Sequence, residues 1–168
     1  MALSFSSPKA FAEFLASAAE NSQKSAVEAM SEGGAALRDM VKASIGQEGN
    51  PGWAPLSDAT MEGFYHQAGF RIPGKTELGY GPGQQPLLRD GELRDSYVYE
   101  MEKEDGKFTV SVGSDMKLAA WQEMGTPDAV YPIPPRPVLG AVFAQHGEEV
   151  VDRVAARIID ALIGGQLV

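Results

Sequence analysis

Tyr97-Val98-Tyr99-Glu100-Met101-Glu102-Lys103-Glu104-Asp105-Gly106-Lys107-Phe108-Thr109-Val110-Ser111-Val112 is the stretch that decides the fold. Tyr97, Tyr99 and Met101 alternate with Val98, Glu100 and Glu102. Phe108, Val110 and Val112 alternate with Thr109 and Ser111. Alternation with period two sends successive side chains to opposite faces of a strand. An Asp-Gly pair between two such runs supplies the positive φ angles of a tight hairpin turn. The spacing therefore predicts a β-hairpin. Its Phe108, Val110 and Val112 face packs on helix, and Glu100 and Glu102 turn toward solvent or a lumen.

Helical patterns lie on both sides. Upstream, Ser7-Pro8 offers a capping hydroxyl followed by a proline at the first helical position. Phe11, Phe14, Leu15 and Ala18, then Val27, Met30, Leu37, Val41 and Ile45, follow mostly at steps of three or four. Gly33-Gly34 interrupts the run at about 2 kcal/mol against alanine. That predicts two helices or a kink, with the first piece detached from the core. Ser57 is placed to cap a short helix over Ala59 to Phe70. Downstream, Asp115 to Met124 reads as a helix that Gly125-Thr126-Pro127 stops. Residues before proline avoid the helical region, so Tyr131-Pro132-Ile133-Pro134-Pro135-Arg136-Pro137 is extended. A last helix runs from about Val138 to Ile163, with Gly147 a point of interruption and Gly164-Gly165 its end. The reading is an α+β fold: a small antiparallel sheet with a β-hairpin flanked by helices, long N- and C-terminal helices, and extended loops. It divides into an N-terminal helical segment, 1–46, and an α+β domain, 47–168.

Composition narrows the function. The 168 residues include 19 glycines and 11 prolines, many between Gly46 and Gly91, and loops this long in a small chain point to partner binding. A net charge of -9 is unsuited to gripping a phosphate backbone, which takes clustered Lys and Arg. Without cysteine there is neither a disulfide nor a thiolate metal site. No apolar run is long enough for a membrane span, and no secretory signal is evident. His66 and His146, the only histidines, lack ligand spacing. Ser57, Ser96 and Ser114 lack a nucleophile elbow, and Gly79 to Gly83 lacks the lysine and helix of a phosphate loop. The expectation is no enzyme, no catalytic or metal residue and no cofactor.

Four segments in order carry a family resemblance: Trp53-Ala54-Pro55-Leu56-Ser57; Pro86 to Ser96; Val112-Gly113-Ser114 with Ala119 to Gly125; and Ile133-Pro134-Pro135-Arg136-Pro137-Val138-Leu139-Gly140. The chain resembles the phage virion-morphogenesis, or tail-completion, proteins, which are related in shape to tail terminators and neck proteins. The likeness covers about Trp53 to Ile163. It implies a structural protein of the head–tail junction, a homo-oligomer with a hexameric ring as first choice. It would be assembled in the host cytoplasm against other neck and tail proteins, with DNA passing through the channel unbound. The alternatives are a tail-terminator ring capping the tube and a transient morphogenesis factor absent from the mature virion.

Interface candidates follow from side-chain chemistry. A guanidinium among four prolines is held in place for bidentate pairing, so Arg136, with Pro135 and Pro137, reads as a subunit contact or as an internal salt bridge anchoring the last helix. Trp53, beside Leu56, and Trp121 read as interface aromatics or as core, with core favoured for Trp121. Glu100, Glu102, Glu104 and Asp105 are candidates for a channel wall that repels DNA.

Overall fold

The computed structural model describes residues 5–46, 53, 55–79, 87, 90–129 and 132–162. Most of the Gly79–Gly83 stretch, part of the Pro86 to Ser96 segment and the stop at Gly164-Gly165 lie outside them. The elements are α1 (Pro8–Ser44), α2 (Asp58–Glu62), β1 (Gly63–Tyr65), β2 (Arg71–Pro73), α3 (Glu92–Asp95), β3 (Val98–Glu104), β4 (Lys107–Gly113), α4 (Lys117–Met124) and α5 (Leu139–Leu162). The α+β class is as expected, with two two-stranded antiparallel sheets, β1-β2 and β3-β4. The chain forms two compact units. One comprises residues up to 37, 99–111 and from 146; the other comprises 38–98 and 112–145.

The first unit is α1 packed against the hairpin and α5. Ser7 caps α1 as its chemistry suggests, its Oγ accepting from the Ala10 N–H at 3.1 Å. The helix then runs through Gly33-Gly34 without a break, which corrects the expected interruption. The reason is close packing. A Cβ on Gly33 would lie 3.0 Å from Val154 Cγ2 and 3.1 Å from Val150 Cγ1. One on Gly34 would lie 2.6 Å from Val110 Cγ1 and 2.9 Å from Tyr99 Cδ2. The glycines let α5 and the hairpin approach the helix axis, and tertiary contact outweighs the propensity cost. Ser31 and Tyr99 share a hydroxyl hydrogen bond of 3.1 Å, and Arg157 pairs with Glu32. Gly147 does not interrupt α5 either.

The hairpin matches its reading. Asp105 and Gly106 take φ of 48° and 79°, both positive, as a two-residue hairpin turn of this hand requires. Along β4, half-buried Phe108 and Val110 alternate with exposed Thr109 and Ser111.

In the second unit Val41, Ile45, Leu93, Tyr97, Ala119, Val138 and Val142 are buried. The helix expected over Ala59 to Phe70 is shorter. Ser57 caps it, accepting from the Thr60 N–H, but Gly63 at φ 84° ends it. Phe64 then pairs with Ile72 in a small antiparallel ladder. Alternating apolar residues interleaved with glycine fit a strand as well as a helix over so short a span.

Candidate interaction surfaces

The proline segment is fixed by its neighbours in the second unit. The Arg136 N–H donates to the Gln122 carbonyl at 2.6 Å, the Thr126 N–H donates to the Ile133 carbonyl at 3.0 Å, and the Thr126 hydroxyl oxygen accepts from the Ile133 N–H at 2.9 Å. Gly125, at φ 75°, ends α4 and leaves room for the strap, since a Cβ there would lie 2.9 Å from the Ile133 carbonyl. Glu123 completes the join. Its carboxylate accepts from the N–H groups of Val138 (2.8 Å), Leu139 (3.1 Å) and Gly140 (2.7 Å), the orphan donors at the start of α5.

This arrangement leaves a cleft of about 460 Å³ in the second unit. Pro55, Leu56, Ile72, Leu118, Ile133 and Pro134 supply apolar wall, and Lys75, Arg136 and Gln122 supply polar wall. Lys75 and Arg136 are each only 6% exposed. Burial, and then the Arg136 charge, holds the Lys75 ammonium below its usual range; burial alone lowers Arg136. Arg136 donates to the Pro55 carbonyl at 3.1 Å. Gln122 Oε1 is buried and accepts no hydrogen bond among the described residues. An apolar trough with a buried, unused acceptor suits a peptide segment that carries a donor.

The six predicted interface residues separate. Leu56 and Arg136 line the cleft, while Trp53, Trp121, Pro135 and Pro137 lie outside its walls. Trp121 is 46% exposed, so the favoured core role is wrong for it: α4 is short, and its buried position is Ala119. Trp53 is half-buried. Glu100, Glu102, Glu104 and Asp105 are all exposed. Tyr97 is buried, and desolvation, then the Glu123 charge, pushes its phenol up to about 12.

Three features escaped the sequence reading. Lys75 sits in a polar turn with no pattern to mark it, yet Gly74 packs so tightly on α2 that a Cβ would lie 2.3 Å from the Met61 carbonyl. Glu123 looks like one more surface acid. At the start of α1 the expected detachment from the core is seen without the expected break, and it exposes an unexpected aromatic cluster: Phe11 and Phe14 gather around Phe5, with ring centroids 5.0 and 5.1 Å apart. The signal was present: three phenylalanines within ten residues precede a polar stretch, Glu20 to Lys24.

Comparison with known families gives one match. The HK97-gp10-like model, described as "Bacteriophage HK97-gp10, putative tail-component", covers residues 9–125, more than two thirds of the chain. It takes in α1, where no motif was recognised, and stops at Gly125, before the proline segment. Searches of curated proteins and of solved structures gave no match.

Proposed function

The chain belongs to the HK97-gp10-like family of bacteriophage tail components, and from that premise we propose that it is a structural subunit of a ring where the tail meets the head. The family match carries this reading. The molecule works by packing rather than by turnover, and its partners are copies of itself and other neck and tail proteins. Six copies are the first choice, to fit a sixfold tube. The cleft receives a segment of a neighbouring protein, and the exposed hairpin acids line the passage. There a net charge of -9 per copy lets DNA slide without sticking.

Native mass spectrometry and particle images test the proposal. The expected result is a single ring species with a central opening, found in mature particles at the head–tail junction. A chain that stays monomeric at all concentrations and joins no particle overturns it. A chain required for assembly but missing from mature particles replaces it with a transient assembly factor.

A further inference from the structure

The contacts between α1 and α5 run antiparallel within the first unit: Ser25 lies by Arg157, and Gly33 by Val154 and Val150. The described part of α5 ends at Leu162. In that register the first dozen or so residues of α1, about 18 Å of helix, have no described α5 residue opposite them. This arm is almost wholly exposed. It is also apolar: Phe5, Phe11, Phe14 and Leu15 are 37, 45, 37 and 49% exposed. At 3.6 residues per turn, Phe11, Leu15 and Ala18 share the helix face that carries Ala29 and Gly33 farther along. The face that seats α5 inside the unit therefore continues onto the arm.

A matching surface exists on α5. Val150 and Val154 turn toward Gly33, but Val151, Ala155, Ile159 and Leu162 form a second stripe one turn-width around. Val151, Ile159 and Leu162 are 65, 53 and 52% exposed.

We infer that the α1 arm of one copy docks antiparallel on the exposed α5 stripe of the next, joining copies head to tail. Three arguments favour a second copy as the occupant. The arm continues a face already shaped for α5. Antiparallel docking sets the positive pole at the start of α1 beside the negative pole at the end of α5. The areas also suit a ring: each patch offers on the order of 300–400 Å², so one contact buries well under the roughly 1,200 Å² of a stable pair. A lone dimer is therefore weak, while closure holds every copy on two sides. This inference rests on the ring proposal and names the surface that builds it.

The chain has no cysteine, so introduced thiols report cleanly. Chains carrying only Leu15→Cys are mixed with chains carrying only Ile159→Cys and oxidised. Both positions are exposed, so neither substitution disturbs the core. The expected result is a disulfide-linked pair from the mixture, and a ladder reaching the ring number from the double variant. A Phe11→Glu, Phe14→Glu chain is expected to lower ring occupancy at least tenfold while keeping its helical content. Wild-type rings without cross-links, or cross-links confined to single chains, overturn this interface and leave the ring proposal standing. A wild-type chain that forms no ring overturns both.

Discussion

At the scale of single residues, Gly33 and Gly34 look alike in sequence and differ in surroundings. Gly34→Ala is expected to cost up to about 2 kcal/mol net, because overpacking of about 1–3 kcal/mol offsets the roughly 1 kcal/mol of helix propensity gained. Its new methyl meets the hairpin at 2.6 Å. Gly33→Ala meets only the flexible valine methyls of α5, at 3.0 and 3.1 Å, and is expected to change stability by less than about 1 kcal/mol. Denaturant midpoints of the two variants decide the matter. Tyr97 gives a pH test. Its phenol titrates at about 12 in the folded chain against 10.0 unperturbed. The raised value stabilises the fold fully below pH 10.0, and the contribution is lost as pH rises toward about 12. Melting temperature against pH should show that fall, and Tyr97→Phe should flatten it. Such residues were barely legible beforehand. Propensity alone reads the glycine pair as a breaker, because the residues that need the space, Val150 and Val154 for Gly33 and Tyr99 and Val110 for Gly34, lie far along the chain. Arg136 was singled out, yet only the fold shows it lining a cleft with Lys75.

At the scale of elements, the β3-β4 hairpin was fully legible, since period, turn residues and length agreed. So were the caps at Ser7 and Ser57, which act within four residues. The β1-β2 ladder was not, because three-residue strands carry too few positions to separate the two periods. The start of α5 was located but not explained. Its cap comes from Glu123, fifteen positions upstream, and no local motif encodes that reach. Glu123→Gln keeps the shape and one carbonyl acceptor but removes the charge at the helix N-terminus. It is expected to cost about 1 kcal/mol, and Glu123→Ala about 2 kcal/mol. Thermal or denaturant unfolding measures both, and loss of helical signal without loss of cooperativity would locate the damage in α5.

At the scale of the whole molecule, the family emerged from four ordered segments, while the surfaces that would join copies did not. An exposed apolar arm and a buried apolar stripe have the same sequence pattern; only what packs opposite them separates the two. The acidic hairpin adds a test of the passage. Replacing Glu100, Glu102 and Glu104 by lysine alters only exposed positions, so ring mass should be unchanged. The ring should now bind DNA, with an affinity that falls steeply as salt rises. DNA binding by the unaltered ring would instead remove the sliding role. The first unit is drawn from residues up to 37, from 99–111 and from 146 onward. Such contacts are remote along the chain and slow to form. While the ribosome is still adding α5, Gly33 has no valines to receive and the stripe of Val151 and Ile159 does not yet exist. A nascent chain can present its aromatic arm but offers nothing for another arm to grasp. On the proposed arm-to-stripe contact, synthesis acts as a clock: a molecule becomes able to receive another arm only once α5 has left the ribosome.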